Sequence, residues 1–187
     1  MINITQTAAA AANEIADIMR RIDETGVRRL IQMTLAAKKV YFAGAGRSLL
    51  ALRCVAMRFM HVGLEAYVVG DTTTPAFEPD DLLIAGSGSG ETTGLITIVT
   101  KAKKINGKAA LISTRSQSTL SSLCDLVILI PAYTGTADSG PVKQPILPGG
   151  TMFEESMLLL GDTMILQLGK EKGVAMDTYF SRHANLE

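Results

Sequence analysis

Four apolar residues, Leu82-Leu-Ile-Ala85, give way abruptly to Gly86-Ser-Gly-Ser-Gly-Glu-Thr92, and an amphipathic stretch then reaches Asn106. A short apolar run closed by glycine reads as a buried strand, and apolar residues at helical spacing read as the helix that follows it. The same unit occurs on either side. Lys39 to Gly44 is a strand that passes through Gly46 into a helix from about Ser48 to His61, and Lys108 to Ser113 is a strand followed by a short helix from Ser118 to Cys124. Strand-like runs at Glu65 to Val69 and Leu126 to Ile130 complete the series. Strands that alternate with helices pair in parallel, because the crossover brings each strand back in the same direction, and helices then cover both faces.

Ahead of this series, Ala8, Ala12, Ile15, Ile18, Met19 and Ile22 recur at helical spacing, and Gly26 separates a second helical run through Leu30 and Leu35. Two leading helices are expected. After Pro131 a loop rich in glycine and proline extends to Gly150, a length typical of functional or disordered segments. Thr151 is placed to cap a last helix through Leu168, and Gly169 to Gly173 reads as a break before a polar terminal segment.

With 187 residues, 47% of them hydrophobic, the chain can bury one good core, and one domain spanning residues 1–187 is expected. Lys plus Arg equals Asp plus Glu at 18 each. No global field therefore draws the chain to nucleic acid or an anionic membrane, and a small anion has to be recognised locally. The start lacks the basic flank and apolar core of a secretory signal, and the apolar stretch from Met152 to Leu168 carries Glu154, Glu155 and Asp162, so it is too charged to span a bilayer. Cys54 and Cys124 have no paired spacing and read as reduced core thiols, which suits a cytoplasmic protein. The methionines read as core filler.

Two turns carry chemistry. Gly44-Ala-Gly-Arg-Ser48 opens a helix after a strand, where glycines admit an anion close to the backbone and Ser48 adds a hydroxyl. Gly86 to Thr92 carries the stronger signal: Ser87, Gly88, Ser89, Gly90, Glu91 and Thr92 wrap hydroxyl donors around a helix start, where a phosphate gains from the helix dipole. A flexible linker has similar composition, but a linker between a buried strand and an amphipathic helix would be unusual. Glu91 also reads simply as a first-turn acid. Ser113 to Thr119 adds hydroxyls after the next strand, although Ser and Thr there also serve as ordinary caps.

Gly-Ser-Gly-Ser-Gly-Glu-Thr after a strand resembles the phosphate loop of sugar isomerase domains. Together with Gly44-Ala-Gly-Arg-Ser48, Ala56-Met-Arg-Phe-Met-His61, Tyr67-Val-Val-Gly70, Thr74-Pro75, Gly149-Gly-Thr-Met-Phe-Glu154 and the ending Arg182-His-Ala-Asn-Leu-Glu187, it resembles the 6-phospho-3-hexuloisomerase family over nearly the whole chain. The resemblance implies a flavodoxin-like three-layer αβα sandwich on a mainly five-stranded parallel sheet. It also implies interconversion of D-arabino-hex-3-ulose 6-phosphate and D-fructose 6-phosphate in ribulose monophosphate formaldehyde fixation, with no metal or organic cofactor. Homo-oligomers, typically tetramers with sites near subunit contacts, are implied as well. Divergence from the family is expected in Tyr133 to Leu147.

Moving a carbonyl from C3 to C2 needs a base at C2, a stabilised 2,3-enediolate and proton return to C3. Glu154 matches the family's glutamate base, in an apolar helix where partial burial would raise its pKa; its spacing alone reads as a helix-start acid. His183 is the second catalytic candidate, able to open the sugar ring or shuttle a hydroxyl proton, against a plain surface histidine on a terminal tail. A terminal segment of this kind is placed to reach a neighbouring subunit. His61 reads as a capping or packing residue at a helix end. Arg47 is a substrate or enediolate contact, or an outward ion pair. Two rivals remain. Gly44-Ala-Gly46 with Asp71 suggests a dinucleotide site, but Leu49 occupies the third glycine position. A sugar-phosphate sensor without turnover would use the same fold, and an isomerase of another sugar phosphate is compatible with every spacing noted.

Overall fold

The computed structural model describes residues 1–133 and 144–186, so Gly135, Gly140 and Pro141 of the expected loop lie outside the described residues. Asn3 caps α1 (Ile4–Met19) by accepting from the Gln6 N–H, and Asp23 caps α2 (Glu24–Ala36) by accepting from the Thr25 and Gly26 N–H groups. The break between these helices is therefore set by Asp23, and Gly26 belongs to the first turn of α2. There follow β1 (Val40–Gly44), α3 (Gly46–His61), β2 (Ala66–Val68), β3 (Leu82–Gly86), α4 (Thr93–Lys104), β4 (Lys108–Ser113), α5 (Thr119–Leu123), β5 (Leu126–Leu129), α6 (Thr151–Glu171) and a terminal 3₁₀ segment (Met176–Arg182).

All five strands are parallel, in the order β2-β1-β3-β4-β5. Alternation along each strand divides the core in two. Val40, Phe42, Leu82 and Ile84 face α1, α2, α3 and α6, with Phe42 edge-on to Phe59 at 5.0 Å. Tyr41, Ala43, Leu83 and Ala85 face α4 and α5 through Leu95, Val99 and Leu120. These strands are buried on both faces, which is why they read as continuous apolar runs. At roughly 1.5–3 kcal/mol for each large side chain withdrawn from water, the two layers supply the main driving force for folding.

The structure revises several local expectations. Gly150, not Thr151, is the N-cap of α6; Thr151 is its first residue and donates its hydroxyl to the Pro148 carbonyl at 2.7 Å. The helix also runs through Gly169 to Glu171, because the apolar face carries on to Leu168 and Tyr179 then donates to the Ile165 carbonyl at 3.3 Å, folding the terminal segment back onto it. Glu91 precedes the Thr92 N-cap of α4 and so lies outside the helix. Met152, Met157 and Met164 are core residues, whereas Met57 and Met60 are exposed on α3. Cys54 is exposed too, and both cysteines are free. Among the described residues no helix is long and apolar enough to cross a membrane.

Candidate active site

From β1 the chain crosses to β2 on one side and then to β3 on the other, so the strand order reverses between β1 and β3. In an open parallel sheet a ligand crevice forms at that point, beyond the carboxyl ends of the strands. Gly44 and Gly86, which open the two expected loops, are register partners there. Neither position has room for a side chain: a Cβ on Gly44 would lie 2.9 Å from the Leu49 backbone, and one on Gly86 would lie 2.8 Å from Met157 Sδ. The second contact seats α6 against the end of β3. No side chain caps α3 or α4, whose N-cap residues are Ala45 and Thr92, so first-turn N–H groups remain available to an anion.

The loop after β3 is tied by its own hydroxyls. Ser87, 3% exposed, receives the Gly90 N–H at 3.1 Å and shares a hydrogen bond with Thr92 Oγ1 at 3.0 Å, while Ser89 Oγ receives the Glu91 N–H at 3.2 Å. Ser113 and Thr114 donate their hydroxyls to the Gly88 carbonyl at 3.2 and 2.8 Å. Gly90 adopts φ +69, where a side chain would also strike Ser118 Oγ. Carbonyls are thereby turned toward β4, and the loop is preformed before any ligand arrives. The serine and threonine cluster of residues 113–119 thus backs this loop. Glu91 points away from it: its carboxylate accepts the Thr119 N–H at 2.8 Å, and hydrogen bonding from the Thr119 side chain, then from that N–H, with Arg115 nearby, holds its pKa below the usual carboxylate value.

Arg47 and Ser48 lie in the first turn of α3, and Ser48 is half-buried. Across the crevice, Glu154 in the first turn of α6 has a side chain only 15% exposed and accepts from Arg47 Nε at 2.5 Å. The Glu154 hydrogen bond, then its charge, raises the Arg47 pKa. Arg47 itself stays 63% exposed, so it is not a buried structural partner. A shielded carboxylate with an exposed cation beside it can accept a proton from carbon and has a counter-charge for an enediolate.

His183 lies elsewhere. Its ring stacks on that of His61 at 5.4 Å, at the far end of α3, about 21 Å along the helix from Arg47, since His61 lies 14 residues further on at 1.5 Å each. His61 is buried as expected for a packing residue, and burial, Arg58 and His183 lower its pKa in that order. Sequence spacing missed both the Arg47–Glu154 and the His61–His183 pairing, since each joins residues more than 100 positions apart. A cleft of about 510 Å³ lies at the opposite, amino end of the strands, lined by Arg29, Met33, Asp80, Asp81, Lys108 and Asp125 among others. Its carboxylates are committed: Asp81 accepts the Lys39 and Glu78 N–H groups at 3.1 and 2.7 Å, and Asp125 holds Lys103 at 2.6 Å. Among the described residues no group of His, Cys, Asp and Glu is placed to hold a metal ion.

The SIS domain family profile matches residues 35–145, which contain both loops and all five strands. The chain belongs to the SIS domain family. Within it, this SIS protein is 38% identical to a 3-hexulose-6-phosphate isomerase of Bacillus subtilis, over 98% of both chains. It is 36% identical to the enzyme of the same name from Mycobacterium gastri, over 99% of this chain and 92% of that one. The fold matches the crystal structure of a Methanococcus jannaschii protein, from which a 3-hexulose-6-phosphate isomerase function was inferred, with a TM-score of 0.81 and 36% identity over 95% and 97% of the two chains.

Proposed function

We infer that this SIS protein is an intramolecular ketose-phosphate isomerase that interconverts D-arabino-hex-3-ulose 6-phosphate and D-fructose 6-phosphate, the isomerase step of the ribulose monophosphate pathway. The near full-length similarity to 3-hexulose-6-phosphate isomerases supports the substrate. The shielded Glu154 carboxylate, facing Arg47 at the switch point, is the observation that carries the chemistry.

Ser87, Gly88, Ser89, Gly90 and Thr92 of the loop, with Ser48, hold the phosphate through hydroxyls and N–H groups. Glu154 removes the C2 proton of the hex-3-ulose; the C2–H electron pair becomes the C2–C3 double bond and the C3 carbonyl π pair moves onto O3. Arg47 turns from Glu154 to this developing charge. The same carboxyl returns its proton to C3 as the O2–H proton is lost and the carbonyl re-forms at C2. Net, one hydrogen moves from C2 to C3 and one proton from O2 to O3. His183 serves the oxygen-to-oxygen transfer in the crevice of a neighbouring copy, because in its own chain it sits at the other end of α3. On this reading the active enzyme is a homo-oligomer, a tetramer by family resemblance, and works in the cytoplasm as one domain without metal, organic cofactor, nucleic acid or membrane partner.

The decisive experiment is turnover of freshly made hexulose 6-phosphate by the purified chain and by Glu154→Gln. Rapid native turnover that is lost in a folded variant supports both reaction and base. A native chain that does not turn over, yet gains melting temperature from fructose 6-phosphate, moves the reading to a sensor or to another sugar phosphate.

A further inference from the structure

We propose that Glu91 is a positioning residue that never touches the substrate: it braces the phosphate loop against the start of α5. The inference rests on that loop being the phosphate site, and it assigns to Glu91 a task different from binding. An anionic side chain within a phosphate loop is at first sight a defect, since like charges repel. The geometry removes the conflict. The Glu91 N–H is tied to Ser89 Oγ at 3.2 Å, while its carboxylate reaches out of the loop to accept the Thr119 N–H at 2.8 Å. One residue earlier, the Gly90 carbonyl accepts the Leu120 N–H at 3.0 Å, and Gly90 packs directly on Ser118.

Two consecutive loop residues are thus pinned to two consecutive N–H groups of α5. Thr119 is the first residue of that helix, so its N–H has no partner within the helix and a carboxylate is the strongest acceptor that can satisfy it. The consequence is local. With Gly90 held at φ +69, the Gly88 to Thr92 backbone keeps one path, and the phosphate meets preformed donors instead of having to order them. Releasing the brace therefore weakens binding of the phosphate in ground state and transition state alike, which raises KM and leaves kcat nearly unchanged.

Three variants test this from both sides of the hydrogen bond. Glu91→Ala removes the acceptor, and Glu91→Gln keeps a neutral one. Thr119→Pro deletes the donor N–H at a first-turn position that tolerates proline, after a Ser118 already extended at φ -164 and ψ 169. Inorganic phosphate binding, measured by calorimetry, gives a readout independent of turnover. Glu91→Ala and Thr119→Pro are each expected to raise KM, and the phosphate Kd, by about fivefold to tenfold, part of the worth of one charge-assisted hydrogen bond because its loss reaches the phosphate only through the loop, with kcat within about twofold. Glu91→Gln should recover most of the loss, and the double variant should be no worse than either single one. Unchanged KM and phosphate Kd in Glu91→Ala, a fall confined to kcat, or additive losses in the double variant would overturn the brace. If the native chain binds phosphate without isomerising hexulose 6-phosphate, the Kd series still decides the inference while the reaction is rejected. A native chain that binds no phosphate overturns the loop reading and the brace together.

Discussion

The two edges of the sheet are both polar, yet they use polarity in opposite ways. At the amino edge the charges are spent within the fold. Asp81, 1% exposed, receives two backbone N–H groups; Asp125 receives Lys103 and the Ala109 N–H; and Lys38 pairs with Asp80 at 2.7 Å. At the carboxyl edge polarity goes into a loop and two helix starts: hydroxyls that tie the glycine loop, N-termini without a side-chain cap, and the shielded Glu154 carboxylate, which accepts from an exposed Arg47. A cleft of about 510 Å³ lies at the amino edge. A cleft by itself therefore does not mark the candidate site; a preformed loop, helix starts without side-chain caps and a shielded carboxylate beside an exposed cation do.

Exchanging one carboxylate at each edge is the most direct way to break this comparison. Glu154→Gln should cut turnover by about 10²–10⁴-fold, the usual contribution of a positioned base, while the melting temperature stays near native. Asp81→Ala should do the reverse, lowering stability by about 1–3 kcal/mol in a urea titration through two orphaned N–H groups and leaving kcat of the folded protein unaltered. A large loss of kcat in Asp81→Ala would show that the edges are coupled.

Smaller effects sharpen the contrast within the carboxyl edge and at the terminal segment. Ser87→Ala should raise KM for the sugar phosphate by roughly tenfold, since one hydroxyl organises the Gly90 N–H and Thr92. The smallest effect concerns His61. Its folded-state pKa lies below the ordinary value, so the neutral ring stabilises the fold above the ordinary histidine pKa of about 6.5, and that contribution is lost as pH falls through the lowered folded value. Protonation would also set a second cation beside Arg58 and against the His183 ring. Melting temperature should fall as pH drops below about 6.5 in the native chain and less steeply in His61→Asn, with the terminal segment becoming more accessible to limited proteolysis over the same range.

Short apolar runs alternating with helically spaced ones were enough to read all five strands, their parallel pairing and the leading helices, because β1 and β3, buried on both faces, admit little but apolar residues. The hydroxyl loop was legible for a similar reason: few structural tasks require three glycines and two serines between a strand and a helix. The helix ends were less legible. The α6 cap and its passage through Gly169 depend on Pro148, Ile165 and Tyr179, none of which a local window weighs correctly.

The sequence by itself determined the order of elements, the place of the glycine-serine loop between β3 and α4 and, through family resemblance, the choice of Glu154 as the candidate base. Only the tertiary structure decided which charges meet. It set Glu154 against Arg47, turned Glu91 outward to Thr119, and carried His183 to the far end of α3. The physical reason is that burial and period are properties of consecutive residues, whereas an ion pair or a ring stack is fixed by how helices distant in sequence pack on a common sheet.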